Sequence, residues 1–114
     1  MQSTFNKDKA CLVNILESAS KIQDFIININ SADEFFENSL VFDAVLMNFV
    51  VIGESVTKLS DGFKNTYNNI EWQKIKGFRN IIAHDYFGID AEEIWQICSG
   101  DLLQLVVDIK KLNT

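Results

Sequence analysis

From Leu12 to Ile29 apolar residues recur in steps of three and four: Leu12, Ile15, Leu16, Ala19, Ile22, Phe25, Ile26 and Ile29. At 3.6 residues per turn these share one side, so the spacing predicts a long amphipathic helix between Lys9 and Ile29. Ser31 followed by Glu34 has the form of a capping box and opens a short helix carrying Phe35 and Phe36. "LVFDAVLMNFVVIGESVTKL", residues 40–59, is apolar along two stripes. Ala44, Met47, Val51 and Ser55 form one, and Val41, Val45, Phe49, Ile52, Val56 and Leu59 the other, so this helix is either central or part of an interface. Ile70, Trp72, Ile75, Phe78, Ile81 and Ile82 space out a helix ending near His84, because Gly88 follows and Asp90 with Glu93 can cap a last helix from Ala91 to about Leu112. "SDGFKNTYNN", residues 60–69, is rich in turn formers and reads as a mobile loop. With no proline and five glycines there are few breakers, and sheet is disfavoured. The fold expected is all-α: an antiparallel bundle of four to five helices in a single domain over 1–114, a length that supports one core but not two.

Gly53 sits inside the third predicted helix, where glycine costs about 1 kcal/mol against alanine. Close approach of another helix backbone would account for it. Glu54 would then face that neighbour and pair with a cation, for which Arg79 is the candidate.

The net charge of −6 argues against a surface that grips nucleic acid along its length, since phosphate contacts need Lys or Arg. Between Lys58 and Arg79, however, five bases (Lys58, Lys64, Lys74, Lys76, Arg79) face two acids (Asp61, Glu71), a local balance of +3. Such a patch suits a local anion site, or simply solvates a helix face. No uninterrupted apolar run reaches the roughly 18 residues that cross a bilayer, and the N-terminus lacks a signal-peptide pattern, so no membrane association and a cytoplasmic location are expected. Cys11 and Cys98 lie in apolar helical patterns, far from other ligands, and are expected to be buried free thiols; no metal and no cofactor are expected.

The chemistry gathers in residues 77–88, "GFRNIIAHDYFG", which hold the sole histidine of the chain. On one helix Asn80 and His84 share a face, while Arg79 and His84 stand roughly 140° apart. Bringing them together requires the reach of the arginine, a distorted final turn, or a second copy of the chain. Arg79 offers a planar fork for phosphate oxygens, and a histidine titrates close enough to neutrality to move protons. The pair suits metal-free RNA cleavage: a base takes the 2′-hydroxyl proton, a cation steadies the phosphorane, and an acid protonates the 5′-oxygen. One histidine cannot easily do both jobs, whereas a homodimer with two motifs at one cleft can, and the third helix is its candidate surface. The competing reading makes His84 a helix cap, Arg79 an ion-pair partner and Tyr86 a packing residue.

"RNIIAHDY" reads as R-x4-H-x-Y and resembles the motif of the HEPN superfamily, in the form carried by HepT-like toxins. The similarity extends through "FDAVLMNFVVIGESVTKL" and "IEWQKIKGFRNIIAHDYFGIDAEEIWQI", most of positions 40–98. Departures are mild: "NNIEW" where relatives often have proline before the tryptophan, and Phe78 where they often have methionine. The resemblance implies an all-helical, dimeric, metal-independent ribonuclease paired with a minimal nucleotidyltransferase antitoxin, MntA. It implies that Arg79 and His84 are the catalytic pair, that Asn80 supports them, and that Tyr86 is the residue AMPylated by the partner; Glu54, from the close approach at Gly53, is the further supporting residue. It is also compatible with a non-catalytic HEPN subunit that only binds a nucleotidyltransferase.

Overall fold

The computed structural model describes residues 4–112. In order these form α1 (Thr4–Ile26), α2 (Ala32–Glu37), α3 (Ser39–Lys58), α4 (Asp61–Thr66), α5 (Trp72–His84), a 3-10 turn (Tyr86–Gly88), α6 (Ala91–Ser99) and α7 (Asp101–Lys110). The described residues contain no strand, and the all-α expectation holds. α3 is the central helix, packed against α1 on one side and α5 on the other. Val45, Leu46, Phe49, Ile52 and Val56 of α3 meet Leu12, Ile15, Ala19 and Ile22 of α1 in one core. By length and hydropathy α3 could cross a bilayer, even though Asp43, Asn48 and Glu54 interrupt its apolar run. Packing between two helices accounts for that composition.

The capping box forms at α2, where Ser31 Oγ accepts from Glu34 N at 3.1 Å and Glu34 reaches back to Asn30 N at 3.2 Å. Phe35 is thereby buried between the rings of Phe42 and Trp95, at 5.1 and 5.6 Å, while Phe36 stays exposed.

Three boundaries differ from the sequence expectation. α1 stops at Ile26 and a turn, closed by Ile29 N donating to Ile26 O at 2.9 Å, still delivers Ile29 to the core. Residues 60–69 are not simply a loop. Ser60 caps α4, its hydroxyl accepting from Phe63 N at 3.2 Å, and the ring of Phe63 packs tilted against Tyr67 at 4.8 Å. The segment is fastened from a distance, because the buried carboxylate of Asp8 accepts both Ser60 N and Ser60 Oγ at 2.7 Å. The third difference is a break in the last helix at Gly100, whose φ and ψ of −131° and −78° lie outside the helical region. Cys98 and Leu102 remain four apart and both buried, so the apolar stripe runs straight across the break and hides it.

The Asp8 contact yields a stability prediction. Asp8→Ala leaves two donors of the half-buried Ser60 without their acceptor, so the free energy of unfolding should fall by about 1–3 kcal/mol. Urea melts check this, and a change under about 0.5 kcal/mol would show that water replaces the carboxylate at no cost.

Candidate active site

α5 runs antiparallel along α3, and the closest approach is at Gly53. A Cβ built there would sit 2.2 Å from Arg79 Cβ and 2.6 Å from Arg79 Cγ, so the stem of Arg79 occupies the space a side chain would need. Phe49, one turn earlier on α3, meets Phe78 edge-on at 5.2 Å. With the helices pressed together, the guanidinium forms an ion pair with Glu54 through Nη2. Its Nη1 donates to Asn80 Oδ1 at 2.7 Å. Nε of Arg79 is buried without a partner, an open donor of the kind that a fold tolerates at functional sites. The expectation that Gly53 admits a neighbour and that Glu54 meets Arg79 is realised.

Helix α5 stays regular to its end: Asp85 N donates to Ile81 O at 2.9 Å, the ordinary four-residue step. His84 in that last turn is exposed, and its side chain has no hydrogen bond or ion pair among the described residues. The 3-10 turn follows, and the hydroxyl of Tyr86 donates to Asp43 Oδ1 on the first half of α3. By accepting that bond the Asp43 carboxylate raises the pKa of the phenol above its usual value, with desolvation and charge repulsion adding in the same direction. Asp85, the other carboxylate beside Tyr86, is folded over Gly88, where a Cβ would lie 2.4 Å from its Oδ2. The stretch holding His84 is therefore fastened to α3 at both ends, by Arg79 to Glu54 and by Tyr86 to Asp43.

A profile described as "Ribonuclease HepT-like" matches residues 15–112. The chain belongs to the HepT-like family. It is 33% identical over 102 residues to "Putative RNase MJ1380" of Methanocaldococcus jannaschii, covering 90% of this chain and 93% of that one. A second protein of that organism, "Putative RNase MJ0127", is 34% identical over 104 residues, 91% of this chain and 85% of its own length. "Probable ribonuclease HepT" of Thermococcus cleftensis is 28% identical over 105 residues, 92% and 94% of the two chains. No solved structure matches the chain.

In this HepT-like chain Glu54, Arg79 and Asn80 form one bonded cluster, and the His84 side chain bonds to none of the three. Asp43 is the site residue that sequence reasoning missed. It lies 11 positions before Glu54, three helical turns, and so on the same face of α3, about 16 Å along the axis. That phase could have singled it out; its pairing with Tyr86, 43 residues away, could not have been read.

The basic patch does not gather into one anion site. Lys64 lies 4.0 Å from Asp61, Lys74 lies 3.9 Å from Asp101, and Arg79 is held by Glu54. Lys64 and Lys74 both border a 580 Å³ hollow between α4 and the start of α5. A 340 Å³ groove between α5, α6 and α7 is apolar inside, with Glu93, Asp101 and Asp108 among its lining, a charge that repels phosphate. Both thiols are free and buried as expected, and burial pushes Cys98 up to about 12, which keeps it unreactive.

Proposed function

We propose that this chain is a metal-independent endoribonuclease, the cytoplasmic toxin of a HepT/MntA pair, acting as a homodimer whose two Arg79 and His84 sets share one cleft. A minimal nucleotidyltransferase of the MntA kind silences it by AMPylating Tyr86. The observation that carries the dimer is the geometry of α5. An undistorted final turn and a guanidinium already turned to Glu54 favour the second copy over convergence within one chain.

The outer stripe of α3 supports the same reading. Leu40, Met47 and Val51 are 81%, 62% and 38% exposed. At 100° per residue they fall within about 80° of Asp43 and Glu54, so a second copy covering this stripe would lie over the motif. In the shared cleft one His84 would take the 2′-hydroxyl proton and the other would protonate the 5′-oxygen. Arg79 would leave Glu54 in part to hold the phosphorane oxygens, with Asn80 keeping the fork in its plane.

The test has two arms. The purified chain should sediment as a dimer at micromolar concentration and should cleave single-stranded RNA in EDTA, leaving 2′,3′-cyclic phosphate ends. A clean monomer that still cuts would remove the shared cleft, and cleavage that stops in EDTA would remove the metal-free mechanism.

One observation favours a second reading, a non-catalytic HEPN subunit that binds a nucleotidyltransferase: the charge of Arg79 is already balanced by Glu54. The same cleavage assay separates the two, because a binding subunit leaves RNA intact.

A further inference from the structure

Tyr86 is 41% exposed, its hydroxyl donates to Asp43, and Asp43 is itself open to solvent. We infer that Asp43 is the proton acceptor that makes the Tyr86 oxygen a nucleophile, so that α3 supplies part of the chemistry by which the chain is modified. The inference rests on the reading of Tyr86 as an adenylylation site and adds to it the group that the transfer requires.

A phenol at neutral pH is almost wholly protonated, and the contact with Asp43 makes the phenolate scarcer still. Transfer by prior ionisation is therefore disfavoured, and the proton must leave as the new bond forms. The phenolic oxygen attacks the α-phosphorus of ATP held by the nucleotidyltransferase. As the oxygen–phosphorus bond forms, the bond from the α-phosphorus to the bridging oxygen breaks and pyrophosphate departs. The phenolic proton passes to Asp43 Oδ1 and then to water. Asp43 satisfies the geometric requirement for a general base, since it already holds the proton in a hydrogen bond. Asp85 does not, because its carboxylate is folded over Gly88.

The same pair has a second use in the free chain. By holding the hydroxyl on α3 it fixes the ring at a defined place on the surface, so the incoming enzyme meets one orientation of the nucleophile. That orienting role would survive in Asp43→Asn, whose amide oxygen can still accept from the phenol. The capacity to take the proton would not.

The experiment compares wild type with Asp43→Asn and Asp43→Ala, each co-incubated with ATP and a minimal nucleotidyltransferase of the MntA kind, and follows adenylate mass on the peptide holding Tyr86. Both variants should be modified about 100-fold or more slowly. In Asp43→Asn the remaining rate should climb about tenfold per pH unit above neutrality, tracking phenolate, while the wild-type rate stays nearly flat. A merely structural contact would lower the rate without changing that profile. Ultraviolet titration of the phenol without any partner gives an independent readout, and Tyr86 should titrate lower in Asp43→Asn than in wild type.

The outcomes are separable. Wild-type Tyr86 that is never adenylylated, while the titration shift is present, overturns the modification reading and the base with it, but leaves the pair. Equal modification of wild type and Asp43→Asn overturns the base alone. An unchanged phenol titration shows that the pair does not form in solution and overturns the inference at its foundation.

Discussion

RNA cleavage is expected to fall by about 1,000-fold or more in Arg79→Ala and in His84→Ala, with helical circular dichroism unchanged in both. The two variants probe different steps. His84 is exposed and bonded to no described residue, so its loss removes a proton-transfer group and nothing that holds the fold together. Arg79→Ala removes the cation proposed to hold the phosphorane and leaves Glu54 without its ion-pair partner. Glu54 is 40% exposed, so water can solvate it and the stability change should stay within about 1 kcal/mol. Initial rates on single-stranded RNA in EDTA, read beside thermal melts, give both quantities. Wild-type cleavage by His84→Ala would take His84 out of the reaction; lost cleavage with a collapsed melt in Arg79→Ala would make that residue structural.

How far the chain could be read before its structure was described depends on distance along the sequence. Helical phase is local, and it placed α1, α3 and α5, though Phe25, Met47, Val51 and Ile81 of the apolar stripes turn out to be exposed. It failed where two structures share one phase, as at Gly100: a stripe that continues from Cys98 to Leu102 looks the same with or without a break between them. It failed again at residues 60–69, where Ser, Asp and Asn serve equally as turn formers and as helix caps, and where the deciding contact comes from Asp8, 52 residues earlier. Gly53 was the opposite case. A glycine in the middle of an apolar helix has a cost that only a close neighbour offsets, so it pointed across the fold, and the neighbour proved to be Arg79. Asp43 carried only the phase it shares with Glu54, because an exposed aspartate on a helix surface needs no explanation. The contacts of Arg79 were legible only in part, since no local rule says that its fork meets both Glu54 on α3 and Asn80 while the His84 side chain stays unbonded.

Gly53→Ala is the substitution expected to damage fold and site together. On propensity alone alanine should stabilise the interior of α3 by about 1 kcal/mol. The space decides otherwise: a Cβ 2.2 Å from Arg79 Cβ and 2.6 Å from Arg79 Cγ meets the root of a side chain rather than its flexible end, and Arg79 Cα stands only 3.6 Å away. α5 must therefore retreat by about 1 Å or more. Overpacking of this kind costs about 1–3 kcal/mol, which outweighs the propensity gain. The retreat also carries Arg79 away from Glu54, and displacement of a catalytic group by about 1 Å lowers rate by about 100-fold. Gly77→Ala is the control, because an ideal Cβ on this glycine of α5 has nothing within 4 Å. It should gain the propensity term and raise stability by about 0.5–1 kcal/mol. Thermal melts of the two variants should therefore move in opposite directions from wild type, with cleavage lost in Gly53→Ala. A rise in melting temperature for Gly53→Ala would mean that α3 and α5 do not approach at that residue, and the held geometry of Arg79 would go with it.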